Sequence, residues 1–310
     1  MNAFLFPGQG SQIVGMGSEF YTKFELVKKI FQQADEKLNY KISKVILDGP
    51  DSELKLTKNT QPAILTVSYA IFSVLKKEFN FNFKSTKFFA GHSLGEYSAL
   101  VCSESLEFND ALYLLFERGK AMQEATPVGK GSMIAVLGST IIDLEKLIKE
   151  IKQIGVCEIA NDNAQGQTII SGDIESINSL KNILKENKKK FIHLNVSAPF
   201  HCALMKPAAI TMKDKINNVN FKKPKFDIIS NVTAQAENDP KVIKKLLIDQ
   251  ICSTVRWRES IINMSIEKIT DFIEIGPGKV LSGMVKRTVK EINCFSINSI
   301  DDIKKIVNES

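Results

Sequence analysis

Short apolar runs closed by glycine or proline alternate along this chain with longer stretches in which apolar residues recur every three or four positions. That alternation of strand and helix patterns predicts an α/β protein with a mostly parallel sheet. Phe4-Leu5-Phe6 reads as a first strand ending in the loop Pro7-Gly8-Gln9-Gly10-Ser11-Gln12. Between 18 and 38, Phe20, Phe24, Val27, Ile30, Phe31, Ala34 and Leu38 form one apolar stripe and predict one helix. Turn and cap signals follow at Asp48-Gly49-Pro50 and Asp51-Ser52-Glu53-Leu54, and a helix opens at Thr60-Gln61-Pro62.

The run Phe88-Phe89-Ala90 then meets Gly91-His92-Ser93-Leu94-Gly95 and passes into an apolar helix through Val101. Gly-x-Ser-x-Gly between a buried strand and a helix is the sequence form of a nucleophile elbow. The glycines allow a tight turn with the Ser93 Oγ at its tip, and the helix start aims free N–H groups at that oxygen. Such a placement favours an oxyanion beside Ser93, as acyl transfer requires. Taken alone, the motif also fits an ordinary glycine-flanked turn.

A helix from about Phe108 to Gln123 carries Glu117-Arg118-Gly119. Proline and glycines at Thr126-Pro127-Val128-Gly129-Lys130-Gly131 mark a hinge. Beyond it the pattern gives strand (Ser132–Leu137), helix (Ile142–Lys152), strand (Val156–Ala160), strand (Gln167–Gly172), helix (Ile174–Asn187) and strand (Phe191–Val196). This β-α-β-β-α-β order is the ferredoxin-like pattern. The expected architecture is therefore an α/β-hydrolase-like core of residues 1–126 and 198–310, with an inserted ferredoxin-like subdomain at 127–197. After the insert come a loop with Phe200 and His201 running into a helix and a strand at Phe226–Ser230. Helices through Val242–Ile251 and Trp257–Met264 follow, then a strand at Asp271–Ile275 and a helix after Gly278-Lys279.

Composition narrows the function classes. With 310 residues, 44% of them apolar and 25% charged, the chain has the make-up of a soluble globular protein with a sizeable core. No apolar run reaches membrane-span length, and the N-terminus lacks the basic region of a signal peptide, so a cytoplasmic location is expected. Five scattered cysteines without a CxxC pair point to reduced thiols, with neither a disulfide framework nor a zinc site. The net charge of +6 comes mainly from dispersed lysines; arginine occurs only at 118, 256, 258 and 287. That distribution argues against nucleic-acid binding, while a mild positive field suits an acidic protein partner.

A serine nucleophile needs a base, and the chain holds three histidines, His92, His193 and His201. The side chain of His92 diverges from that of its neighbour Ser93 at the turn and is expected only to line the pocket. His193 alternates with Ile192, Leu194 and Val196, which puts it on the exposed face of a strand. His201 lies in a proline-containing loop where the insert rejoins the main domain, and is the chosen base. No histidine follows it, and Asp162 and Asp173 are the only nearby aspartates. A serine–histidine dyad with a backbone or amide partner therefore fits better than a hydrolase triad.

Several blocks resemble the malonyl-CoA:acyl carrier protein transacylases and the related acyltransferase domains of fatty-acid and polyketide synthases. They are Phe6-Pro7-Gly8-Gln9-Gly10-Ser11-Gln12, Gln61-Pro62-Ala63, Gly91-His92-Ser93-Leu94-Gly95-Glu96-Tyr97 and Arg118-Gly119 before Met122-Gln123. Ala160-Asn161-Asp162-Asn163, His201-Cys202-Ala203-Leu204-Met205 and Glu274-Ile275-Gly276-Pro277-Gly278-Lys279 complete the set, in family order across nearly the whole chain. The resemblance implies ping-pong transfer of a malonyl group from malonyl-CoA, through an ester on Ser93, to the phosphopantetheine thiol of an acidic acyl carrier protein. His201 would be the base, oriented by the main-chain carbonyl of Gln250, and the N–H groups of Gln9 and Leu94 would form the oxyanion hole. Arg118 would hold the malonate carboxylate as a two-pronged fork. Phe200 replaces the serine common in the bacterial group and, as in malonyl-selective synthase domains, would narrow the space beside the α-carbon. No metal or redox cofactor is implied, and a monomer is the default expectation. The competing classes are a discrete acyltransferase of a polyketide pathway, a serine esterase or thioesterase, and a non-catalytic carrier-protein scaffold.

Overall fold

The computed structural model describes residues 1–127, 129–151 and 154–309. Its strands are β1 (Asn2–Phe6), β2 (Thr86–Gly91), β3 (Gly131–Leu137), β4 (Cys157–Ala164) and β5 (Gln167–Asp173). They continue with β6 (Lys190–His193), β7 (Asp227–Ile229), β8 (Ala236–Glu237), β9 (Asp271–Ile275) and β10 (Asn293–Ile297). β1 is apolar at four of its five positions and buried at all of them, as a strand covered by helices on both faces must be. Its even side chains, Phe4 and Phe6, pack on one face with Phe72 and Phe89, whereas Ala3 and Leu5 pack on the other with Trp257, Ile261 and Leu281. The sheet built around it has the order β10-β9-β1-β2-β7-β8, parallel except for the short antiparallel edge β8.

The second sheet has the order β4-β5-β3-β6 and is antiparallel throughout. Period-two alternation divides its side chains between two cores. Ile134, Val136 and Ile170 pack with Leu144, Ile148, Leu180 and Leu184 of the helices Ile141–Ile151 and Ile174–Glu186. Met133, Ala135 and Ile169 point the other way and join the main core. The edge strand β4 is also tied through backbone to Val255, which lies outside both sheets and just ahead of the helix Trp257–Ile266. Val255 N–H donates to Ala160 O at 2.8 Å, and Asp162 N–H donates to Val255 O at 2.9 Å. No helix among the described residues is long and apolar enough to cross a membrane.

Several boundaries differ from the sequence expectation for identifiable reasons. The single helix expected at 18–38 is two, Ser18–Lys23 and Glu25–Leu38, because Phe24 takes an extended conformation (φ −120°, ψ 120°). Its ring still stacks on Phe20, so the apolar stripe runs on through the break. The helix expected to open at Thr60 begins at Thr57, which leaves Pro62 inside it instead of at its start. β4 runs to Ala164, through bulges that carry the polar Asn161-Asp162-Asn163 within a strand. β6 stops at His193, short of Val196. Strand β10 and the helices Ile42–Asp48 and Ile300–Glu309 had no sequence expectation. Of the expected hinge and the expected helix Ile142–Lys152, Val128 and Lys152 lie outside the described residues.

Candidate active site

β2 ends at Gly91, and the helix Gly95–Cys102 begins four residues later. A Cβ on Gly91 would stand 1.9 Å from the backbone of Gly95, and one on Gly95 would stand 2.2 Å from Phe6 O. Only glycine permits so tight a turn against β1. Ser93, at its tip, has φ 53°. Its N–H donates to Asn231 Oδ1 at 2.7 Å, while Asn231 Nδ2 donates to Gly91 O at 2.7 Å. Asn231, just beyond β7, thus clamps both sides of the turn.

Ser93 Oγ lies 2.8 Å from His201 Nε2, and His201 Nδ1 lies 2.9 Å from the backbone carbonyl of Gln250. A carbonyl only accepts, so Nδ1 carries the proton and Nε2 is free to accept from the serine. Gln250 ends the helix Pro240–Gln250, where carbonyls lack intrahelical donors. Burial, reinforced by the charge of Arg118, lowers the His201 pKa from 6.5 to about 3, against the opposing effect of the Gln250 carbonyl. The imidazole is therefore neutral near pH 7. Asp162 pairs instead with Arg258 (2.9 Å), and Asp173 caps the helix Ile174–Glu186, so neither serves the histidine.

Arg118 projects from the helix Phe108–Glu124 and is 1% exposed. Gly119 lets that helix approach the start of Thr57–Lys77; a Cβ there would lie 2.6 Å from Thr57 O. The guanidinium donates from Nη1 to Gln61 Oε1 at 2.9 Å, and from Nη2 to Gln250 Oε1 at 2.8 Å and Ser93 Oγ at 3.2 Å. Arg118 is thus held in the interior by two amides and the elbow hydroxyl, not paired at the surface. Gln250 Nε2 donates onward to Glu96 Oε2 at 2.8 Å and to Ser93 O at 3.2 Å. Glu96 also accepts from Asn231 N–H at 3.1 Å. Burial raises the Glu96 pKa from 4.5 to about 7, opposed by these hydrogen bonds and by Arg118.

These groups open on a cavity of about 190 Å³ between the elbow and the inner face of the antiparallel sheet. That is below the ~300–1,000 Å³ of clefts that enclose drug-sized ligands, so the cavity has room for a small group only. Gln9, Leu94, His92 and Phe200 all line it, with Met133, Ile169 and Leu194 as its apolar wall. The N–H groups of Gln9 and Leu94 have no protein acceptor among the described residues. His92 turns away from Ser93 and meets Asn163 Oδ1 through Nε2 at 2.8 Å. His193 is exposed on β6, outside the site.

Sequence reasoning did not single out Glu96, Asn231 or Gln61, nor the side chain of Gln250. Glu96 left one usable signal: it is the charged residue in the otherwise apolar and small-residue elbow helix. Among the described residues, no group of three His, Cys, Asp or Glu side chains is arranged to hold a metal ion.

With this geometry in hand, known proteins provide a comparison. The acyl transferase domain family matches residues 3–307. The malonyl CoA-acyl carrier protein transacylase of Bacillus subtilis (strain 168) is 43% identical over 304 residues, covering 97% of this chain and 95% of that protein. The Escherichia coli (strain K12) protein of the same name is 37% identical over 297 residues, covering 96% and 95%. The crystal structure of an acyl-carrier-protein-S-malonyltransferase from Bartonella henselae superposes with a TM-score of 0.96 at 40% identity, covering 99% of this chain and 98% of that one. A type II polyketide acyl carrier protein in complex with its malonyl-transacylase gives 0.96 at 36% identity, covering 100% and 99%. A glycine-framed serine, a neutral histidine and a buried arginine, set in a chain that matches over almost its full length, have one consistent reading: the protein belongs to the acyl transferase family of the malonyl-CoA:acyl carrier protein transacylases.

Proposed function

We propose that the protein moves a malonyl group from malonyl-CoA to the phosphopantetheine thiol of an acyl carrier protein, supplying extender units for fatty-acid synthesis. One observation carries the choice of acyl group: Arg118, buried and without a carboxylate partner among the described residues, donates to Ser93 Oγ at 3.2 Å. An acyl group on that oxygen with a free carboxylate one carbon away from its carbonyl meets the fork, whereas a plain acyl group leaves it unanswered.

The reaction runs in two halves. Ser93 Oγ attacks the thioester carbonyl as its proton passes to His201 Nε2, and the N–H groups of Gln9 and Leu94 receive the oxyanion. Collapse breaks the C–S bond, and His201 returns the proton to the departing CoA thiolate. The carrier thiol then gives its proton to His201 and attacks the malonyl-serine ester. As that ester cleaves, His201 reprotonates Ser93 Oγ. The Gln250 carbonyl holds the imidazole tautomer throughout. Phe200 narrows the cavity beside the α-carbon and favours malonyl over branched groups, and His92 completes the wall. No step calls for a cofactor beyond the two thioesters.

The architecture fits this division of labour. Residues 1–126 and 198–310 would form an α/β-hydrolase-like domain carrying the dyad, supported by the strand–elbow–helix unit on a largely parallel sheet. Residues 127–197 would form an inserted ferredoxin-like subdomain, supported by the β-α-β-β-α-β order and antiparallel pairing. Every group invoked comes from one chain, so a monomer suffices. Five free cysteines go with a cytoplasmic location. The test is intact-mass measurement after adding malonyl-CoA. A malonyl adduct is expected on the wild type, absent from Ser93→Ala and discharged by holo carrier protein. Release of free malonate without transfer to the carrier would replace this reading with a thioesterase.

A further inference from the structure

A buried arginine normally ends against a carboxylate, because an unmatched charge in low dielectric is costly. Arg118 ends against two amides. Gln61 Oε1 takes Nη1 and Gln250 Oε1 takes Nη2, and no ion pair of Arg118 exists among the described residues. The carboxylate that bears on it, Glu96, sits behind Gln250 and receives that residue's Nε2 at 2.8 Å. The interposed amide has a unique orientation. Arg118 only donates, so it must face Oε1; Glu96 accepts through Oε2, so it must face Nε2. Gln250 Nε2 also reaches Ser93 O at 3.2 Å, which ties the same amide to the elbow.

We propose that Glu96 and the side chain of Gln250 form a positioning relay that aims the Arg118 guanidinium into the acyl cavity while keeping protein carboxylates out of contact with it, leaving its charge for the carboxylate of the acyl group. The proposal rests on the reading of Arg118 as the carboxylate clamp and makes Glu96 and Gln250 determinants of acyl selectivity. The mechanism itself uses only the backbone carbonyl of Gln250, which any residue supplies. The relay therefore gives the identity of residue 250 a separate task. A glutamate there would keep the backbone contact to His201 and bring a carboxylate directly onto Nη2, closing the fork before substrate arrives.

The experiment compares single-turnover acylation by malonyl-CoA and acetyl-CoA, followed by intact mass, for the wild type, Arg118→Ala, Gln250→Glu, Glu96→Met and Glu96→Gln. Thermal transitions establish that each variant is folded. The malonyl-to-acetyl rate ratio is expected to fall in Gln250→Glu by roughly tenfold to a hundredfold, the range of a lost charge-assisted hydrogen bond. It is expected to fall less in Glu96→Met, and to return towards the wild-type ratio in Glu96→Gln, which retains an acceptor oxygen for Gln250. A wild-type ratio in Gln250→Glu alongside a lost ratio in Arg118→Ala overturns the relay and leaves the clamp standing. A wild-type ratio in Arg118→Ala overturns the clamp itself. Should Gln250→Glu fail to fold, the two Glu96 variants decide: equal ratios in Glu96→Met and the wild type overturn the relay.

Discussion

Ser93 Oγ and His201 Nε2 stand 2.8 Å apart, and both residues hold backbone angles in the left-handed region, φ 53° and φ 57°. Neither is glycine, so each position costs on the order of 1–3 kcal/mol, and surrounding contacts must impose it. Asn231 holds the backbone N–H of the serine, and Gln250 O holds the ring of the histidine.

Removing the base should leave a folded but slow enzyme. His201→Ala is expected to reduce acylation of Ser93 by roughly a hundredfold to ten-thousandfold, the usual contribution of a positioned base. Because burial and the Arg118 charge hold the imidazole neutral down to about pH 3, wild-type acylation should not titrate with the ordinary histidine pKa of 6.5. Stopped-flow or quenched acylation across pH checks this. An inflection near 6.5 that persists in Glu96→Gln, where the carboxyl raised to about 7 is gone, would show that the imidazole is hydrated and ordinary.

Phe200 is buried and lines the cavity beside His201. Phe200→Ser should enlarge the space at the α-carbon and raise the methylmalonyl-to-malonyl loading ratio by roughly tenfold or more, as expected for one methyl group in a tight pocket. Competition between the two CoA thioesters, read by intact mass, measures the ratio. An unchanged ratio would remove Phe200 from the selectivity determinants.

Two glycines offer a paired stability test. Gly95→Ala places a Cβ 2.2 Å from the Phe6 carbonyl, and neither partner can yield without moving the elbow or β1. A loss of about 1–3 kcal/mol is expected. Gly283, within the helix Val280–Thr288, has nothing within 4 Å of its ideal Cβ, so Gly283→Ala should gain about 0.5–1 kcal/mol from helix propensity. Urea unfolding of both variants checks the contrast, and equal effects would contradict it.

The reach of the sequence follows from how local each feature is. The elbow was legible because strand, glycines and serine are contiguous, and His201 because only three histidines competed for its task. Arg118 entered through the resemblance. The network around it was not legible, since Gln61 meets Arg118 across 57 positions and Glu96 meets Gln250 across 154. Single-residue patterns carry no record of such pairings. The length of β4 was hidden for a related reason. Asn163 and Asp162 look like loop residues until their side-chain oxygens are seen to accept from His92 and Arg258.

Acidity should separate Glu96 from His201, two of the buried titrating groups of the site. Glu96 has its pKa raised by burial from 4.5 to about 7, so between those values the folded protein binds more protons than the unfolded chain. Its contribution is fully present below pH 4.5 and is lost as pH rises through about 7. His201, lowered from 6.5 to about 3, acts in the opposite sense, because the unfolded chain then binds the extra proton. Its contribution is present above pH 6.5 and is lost as pH falls towards about 3. The two slopes oppose each other where their windows overlap, so the wild-type curve alone does not resolve them. Single variants do. The stability of Glu96→Gln relative to wild type should rise as pH goes from 4.5 to 7, since the variant lacks the carboxyl that must ionise in a dry site. That of His201→Ala should fall relative to wild type as pH rises towards 6.5. Urea midpoints taken across pH give both differences. A flat difference for Glu96→Gln would mean that the carboxyl ionises as it does in water, and that the hydrogen bonds from Gln250 and Asn231 stabilise its charge as much as burial opposes it.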